Sequence, residues 1–80
     1  MIKLNDTELD LLEECLEIFE NTHSYDTDIY SDVKLAINTE MWSDPKYLLK
    51  ECKWFLSDTH CYDMEIYKRL EEYLDRTERD

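Results

Sequence analysis

Two cysteine–histidine pairs are the residues of this chain whose types could hold a metal ion. Cys15 lies eight residues before His23, and Cys52 lies eight residues before His60. Zinc takes two cysteines and two histidines in a tetrahedral site, usually with a short Cys-x₂₋₄-Cys spacing that is absent from this sequence. Both cysteines also fall within apolar stripes, where a thiol behaves as a small hydrophobic side chain. The sequence therefore predicts no metal and no other cofactor, and these four residues remain the candidates for a metal-dependent alternative.

The chain lacks the patterns that are typical of an enzyme. It contains no glycine, which excludes a glycine-rich phosphate loop. Eighty residues leave little room for a concave pocket. Each histidine follows the end of a predicted helix, where it can bond the last carbonyl groups. We therefore expect a protein without catalytic activity.

Carboxylates are the most abundant groups with a chemical use, and they are unevenly distributed. The net charge is −12. Residues 6–42 carry eleven acidic residues and one basic residue, whereas residues 43–79 carry nine and seven. Such a surface repels nucleic acid and anionic membranes and attracts basic protein surfaces. The predicted partner-binding residues are Asp10, Glu13, Glu14, Glu17, Glu20, Asp26, Asp28, Asp32 and Trp42.

The acidic residues on one side of the first predicted helix lead to a functional hypothesis; they are Asp10, Glu13, Glu14, Glu17 and Glu20. Carboxylates three and four residues apart on a helix lie about 5–6 Å from one another, close to the separation of successive phosphates along a nucleic acid strand. The sequence thus predicts a small inhibitor that occludes the basic surface of a nucleic-acid-binding enzyme or effector. In character, though in no family motif, the chain is similar to phage inhibitors of restriction or CRISPR systems and to immunity proteins of nuclease toxins.

Two other interpretations stay open. The chain could be an adaptor, or a module that associates with itself, through Trp42, Trp54 and nearby apolar residues, since tryptophan is a favoured interface anchor. A homodimer is compatible with this alternative. The acidic surface could also serve solubility alone.

The elements that must position these residues are indicated by an internal repeat. Residues 11–38 and 48–75 share ten identities at an offset of 37, including the segment Thr-His-x-Tyr-Asp. A fixed period of this length marks a repeated supersecondary unit. We predict one all-α domain over 1–80, built from two tandem helical hairpins over 6–42 and 43–79. The hairpins pack as a compact four-helix bundle or a two-repeat stack, because neither hairpin can bury its apolar stripes alone.

Periodicity and capping residues place the four helices. The first is expected over 8–20 after a cap among Asn5, Asp6 and Thr7, and the third over about 45–57 after Asp44-Pro45. Asp26 and Asp63 are predicted to cap the helices over 27–40 and about 64–76, with Tyr25–Tyr30 and Tyr62–Tyr67 as hydrophobic staples. Asn21 and Asp58 are expected in the left-handed conformation that ends a helix, and residues 77–80 are expected to fray.

The expected compartment follows from the absence of an apolar segment and from the cysteine count. No apolar run approaches the ~20 residues that span a membrane, and the N-terminus lacks the apolar stretch of a signal peptide. Three cysteines cannot all pair within the chain, which favours a reducing environment. We expect a soluble protein of the cytoplasm, or of the host cytoplasm if it is viral.

Overall fold

Four helices make up nearly all of the computed structural model, which describes residues 1–22, 27–59 and 65–78, with the backbone alone for Thr77 and Glu78. The elements are β1 (Ile2–Lys3), α1 (Asp6–Asn21), α2 (Asp28–Thr39), β2 (Met41–Trp42), α3 (Pro45–Asp58) and α4 (Glu65–Glu78). The predicted all-α class with four helices is confirmed. The helix α4 continues through Glu78, two residues beyond its predicted end, and the fraying expected for 77–80 stays a prediction. None of the helices within the described residues is long and apolar enough to cross a membrane.

The helices α1 and α3 pack against each other, and α2 and α4 each contact both of them. Along this central pair, Phe19 and Phe55 meet edge to face with their ring centroids 4.8 Å apart. Cys15 and Cys52, which occupy matched positions of the sequence repeat, are fully buried in the same core. The division of the chain into two hairpin repeats stays a prediction.

The core consists of the apolar stripes that the sequence predicts, with additions at the N-terminus. Leucines and cysteines of α1 and α3 are the most deeply buried side chains, and α2 and α4 contribute Val33 and Leu70. Leu4 is also buried, and Glu8 lies beneath the surface although it is charged. Four predicted core residues are only partly buried: Ile18, Ile37, Phe55 and Tyr73.

A capping box fixes the start of α1 at Asp6. The Asn5 side-chain oxygen accepts a hydrogen bond from the Glu8 backbone N–H at 2.7 Å. The Glu8 carboxylate accepts one from the Asn5 N–H at 3.0 Å. The Asn5 amide nitrogen also donates to the hydroxyl of Tyr73 on α4 at 3.3 Å. This reciprocal bonding satisfies two backbone donors, and it ties the first turn of α1 to the last helix.

The cap of α2 differs from the prediction. The N-cap is Thr27, whose hydroxyl accepts from the Tyr30 N–H at 3.3 Å, so the capping role predicted for Asp26 is wrong. Asp26, Tyr25, Tyr62 and Asp63 themselves lie outside the described residues, and the predicted staples stay predictions. For α3 the prediction is confirmed, because Asp44 caps the helix and Pro45 is its first residue.

The predicted left-handed ends of α1 and α3 are also wrong. Both helices continue through Asn21 and Asp58, and the next residues, Thr22 and Thr59, have φ angles of −97° and −95°. Their hydroxyls donate to carbonyl oxygens four residues back, at 3.0 Å in each case, and this bonding satisfies groups that the helix end exposes. Among the described residues only Glu40, directly after α2, has a positive φ, of 57°.

A two-stranded ribbon, which the sequence analysis did not predict, closes one end of the bundle. The strands β1 and β2 are antiparallel, with Ile2 opposite Trp42 and Lys3 opposite Met41. The Leu4 N–H donates to the Glu40 carbonyl at 2.9 Å, which extends the pairing into the turn after α2. The ribbon positions Trp42, which packs half-buried against the core.

Candidate functional site

The cysteines of the metal hypothesis are side by side in the core. A side-chain hydrogen bond joins Cys52 to Cys15, and this bond, followed by burial, raises the pKa of Cys52 well above that of an ordinary thiol. A metal would require thiolates, which this environment disfavours. His23 and His60 lie outside the described residues. Within the part of the chain that is described, no three histidine, cysteine or carboxylate side chains gather as metal ligands.

The predicted acidic row of α1 is divided by one arginine from α4. Arg69 Nη2 lies 2.9 Å from Asp10 Oδ2, and Arg69 Nη1 bonds the Glu14 carboxylate. The hydrogen bonds to Asp10, and next to Glu14, raise the pKa of the guanidinium. Two of the five predicted carboxylates of α1 are therefore held against α4, where the single positive charge of Arg69 offsets one of their two negative charges.

The remaining predicted carboxylates of α1 are Glu13, Glu17 and Glu20, which we call the α1 carboxylate row. All three are exposed. None of them forms an ion pair with a described residue. Their spacing of four and three residues places them along one side of the helix, with about 5–6 Å between neighbours. With respect to the described part of the chain, the row is a line of unpaired negative charge that extends to the C-terminal end of α1.

The α2 carboxylates are positioned differently. Asp28 is exposed in the first turn of α2, where a negative charge favours the helix dipole. Asp32 is half-buried and lies near Glu51 of α3. Burial first, and the charge of Asp32 second, raise the pKa of Glu51. Asp32 therefore belongs to the boundary between α2 and α3, and Asp26 is outside the described residues.

The boundary between α1 and α4 and the boundary between α2 and α3 carry opposite interactions at matched positions of the sequence repeat. Glu14 corresponds to Glu51, and Arg69 corresponds to Asp32, each at an offset of 37. Between α1 and α4 the pair attracts, whereas between α3 and α2 it repels. The charge asymmetry that the composition reveals is thus present in specific contacts as well as on the surface.

A second exposed surface lies on α3, and we call it the α3 face: Lys46, Tyr47, Lys50, Lys53 and Trp54. Tyr47 and Trp54 are each 51% exposed, and their rings meet edge to face with centroids 6.0 Å apart. Beside them, a groove of about 590 Å³ runs between α3 and α4, lined by the lysines at 50 and 53 and by carboxylates of α4. Lys53 lies 3.9 Å from Glu71 and above the Tyr67 ring.

The α3 face was only partly evident in the sequence. Trp54 was singled out because it replaces Glu17 of the first repeat. The lysines went unnoticed, although their own spacing of four and three residues was the available signal. Trp42, the predicted partner-binding tryptophan, is half-buried against the core rather than fully presented to solvent.

No protein-family model, curated protein or solved structure matches this chain. Its candidate sites therefore rest on the geometry and charge described above.

Proposed function

We propose that this chain is a small, non-catalytic binding protein that docks its α1 carboxylate row on a basic surface of another protein. The partner class that best fits is a nucleic-acid-binding enzyme or effector. The observation that carries the proposal is the contrast within one helix. Asp10 and Glu14 share the positive charge of Arg69, while Glu13, Glu17 and Glu20 are exposed and form no ion pair with a described residue.

The cost of the row to stability supports a binding role over solubility alone. Glu13 and Glu17, and Glu17 and Glu20, are like charges at the two spacings that destabilise a helix, each by about 0.2–0.5 kcal/mol. The last turn of α1 contains no basic residue, so Glu20 also faces the negative end of the helix dipole. Solubility requires net charge but does not require it at these positions.

The mechanism would be electrostatic and steric. The row presents negative charges about 5–6 Å apart on a rigid helix, so it can occupy a site shaped for a phosphate backbone. The opposite charges steer the encounter, and docking then prevents nucleic acid from entering. Rigidity comes from the first turn of α1, which the capping box and Tyr73 hold in place.

The test compares a row variant with a matched control. In Glu13→Gln, Glu17→Gln, Glu20→Gln the row is neutral, and Glu40→Gln, Glu65→Gln, Glu72→Gln removes the same charge from exposed positions elsewhere. Each protein is used for affinity capture from lysate at low and moderate salt. Any captured protein is then assayed for nucleic acid binding in competition with the chain.

We expect wild type and control to capture a basic protein whose nucleic acid binding they inhibit, and the row variant to lose both effects. Higher salt should weaken the capture steeply. Equal inhibition by the row variant would contradict the proposal. Because neutralisation relieves repulsion, the row variant should also unfold at a higher temperature than wild type, which separates lost binding from lost folding.

A second candidate function is supported by the exposure of Tyr47 and Trp54. Two half-exposed aromatic rings in contact are an anchor suited to an adaptor that binds a partner helix. Capture that survives higher salt and neutralisation of the row, but is lost in Trp54→Ala, would favour this function. Loss of capture in the row variant alone would favour occlusion.

A further inference from the structure

The α1 carboxylate row and the α3 face are complementary in charge and in spacing. Glu13, Glu17 and Glu20 are separated by four and three residues, and so are Lys46, Lys50 and Lys53. The glutamates lie on the side of α1 away from the core, whereas on α3 Lys46 is exposed and Lys50 and Lys53 are partly exposed beside α4, where Lys53 lies 3.9 Å from Glu71. Two helices laid side by side in the same direction would bring each lysine opposite one glutamate.

The two surfaces point away from each other on one molecule. Phe19 and Phe55 meet between α1 and α3. Cys15 and Cys52 lie four and three residues before them on the same helix faces, so both helices turn their cysteine toward the other helix. Glu17 and Trp54 each follow their cysteine by two residues, which is a rotation of about 200° around a helix. Glu17 and Trp54 therefore point outward on opposite sides of the pair formed by α1 and α3. The row of one molecule cannot reach its own α3 face.

We propose that the α3 face binds the α1 carboxylate row of a second copy of this chain. The contact is head to tail, with glutamates against lysines and with Tyr47 and Trp54 adding apolar area beside the charges. A second copy is favoured over an unrelated acidic partner because this chain itself supplies the matching spacing. A heterologous contact of this kind leaves one unused surface at each end, so it forms open chains rather than closed dimers.

The association is expected to be weak. Added salt should favour it by reducing the long-range repulsion between copies, and should oppose it by weakening the attraction between opposite charges in contact. Two copies with a net charge of −12 repel at long range. At about 0.15 M salt this repulsion is screened beyond about 8 Å, while charges in direct contact still attract. A contact along one helix face is at the small end of interface size, so weak association is expected.

This inference goes beyond the proposed function and does not depend on it, although both use the same row. A copy whose row is covered by another copy is unable to dock elsewhere. Self-association would therefore keep the protein inactive at high concentration, and dilution would release active monomers. Partner binding and chain growth should be mutually exclusive.

Charge exchange between the surfaces tests the contact. One variant, Glu13→Lys with Glu17→Lys, makes the row basic, and the other, Lys46→Glu with Lys50→Glu, makes the α3 face acidic. The control, Lys3→Glu with Lys68→Glu, makes the charge change of the acidic α3 variant at exposed positions on β1 and α4. Sedimentation velocity over a concentration series measures association, and circular dichroism verifies that each variant is folded.

We expect wild type and control to associate, each charge-exchanged variant alone to associate at least about tenfold more weakly, and an equal mixture of the two to associate again. Recovery in the mixture requires the row of one protein to meet the α3 face of the other. A wild type that stays monomeric throughout the series, or variants that associate like wild type, would overturn the inference. The occlusion proposal would survive either result, because its assay measures inhibition of a different protein.

Discussion

Replacement of Asp32 by arginine is the change that most directly tests the charge pattern between helices. The matched position in α4 is Arg69, which bonds both Asp10 and Glu14 of α1. In α2 the same position is Asp32, and on α3 the pKa of Glu51 is raised by burial first and by the charge of Asp32 second. Asp32→Arg should convert this repulsive boundary into an attractive one and stabilise the protein.

The expected gain is built from two small effects. Loss of the like-charge contact contributes about 0.2–0.5 kcal/mol. The new pair with Glu51 contributes about 0.5–1 kcal/mol, since positions 32 and 51 are both partly exposed to solvent. The position matched to Asp10 is Tyr47, so the arginine gains one carboxylate where Arg69 has two. The total is about 1 kcal/mol, which corresponds to a rise of about 4–8 °C in the melting temperature.

The stabilisation by Asp32→Arg should increase from acid to neutral pH. In wild type, ionised Glu51 has a raised pKa, so its cost to stability is present at neutral pH and is relieved as the pH falls through that pKa. In Asp32→Arg, the new ion pair stabilises the fold above the ordinary pKa of glutamate and is lost as the pH falls. The difference between the two proteins should be largest near pH 7 and disappear by about pH 3.

A double-mutant cycle with Glu51→Gln isolates the pair. Urea unfolding followed by circular dichroism gives the free energy of unfolding for wild type, both single variants and the double variant. We expect a coupling energy of about 0.5–1.5 kcal/mol at neutral pH. Ser31→Arg, at the adjacent exposed position of α2, controls for arginine as a helix residue. A gain in Asp32→Arg that persists in the Glu51→Gln background, or that does not change with pH, would contradict the assigned repulsion.

Three further outcomes are expected from single sites. Asn5→Ala removes the capping box and should lower the free energy of unfolding by about 1 kcal/mol, measured by urea unfolding, and a change below a few tenths would argue against the cap. Glu40→Gly should raise the melting temperature, because a left-handed residue with a side chain is strained by about 1–2 kcal/mol, and a lower value would contradict this reason. In the folded protein Cys15 and Cys52 should resist alkylation, since both are buried and the pKa of Cys52 is raised, and peptide mapping by mass spectrometry should show their modification only after unfolding.

Local signals in the sequence located the helices well. Asp44 followed by Pro45 is a start signal that depends only on neighbouring atoms, and it marks the first residue of α3. The apolar stripes also predicted most of the core, because a helical period of 3.6 is set by the backbone itself. The cap at Thr27 was missed because Asp26 and Asp28 beside it are equally suitable caps, and the left-handed end at Glu40 was missed because glutamate has no preference for that conformation.

The ribbon was missed for a different reason. Two-residue strands contain no measurable alternation, so the pairing of Ile2 with Trp42 leaves no pattern in the chain. It forms because the N-terminus and the turn after α2 are brought to the same end of the bundle. That meeting also determines the partial burial of Trp42, which a sequence reading could not anticipate.

By itself the sequence determined which side of α1 is acidic, because residues three and four apart share a face of any helix. It could not separate Asp10 and Glu14 from Glu13 and Glu17, since all four are carboxylates on that side. Only the tertiary structure made the distinction, by placing Arg69 beside Asp10 and Glu14 across 59 and 55 residues of chain. Charge is a property of each residue, but neutralisation requires a second residue within a few ångströms, and packing alone decides which residue that is.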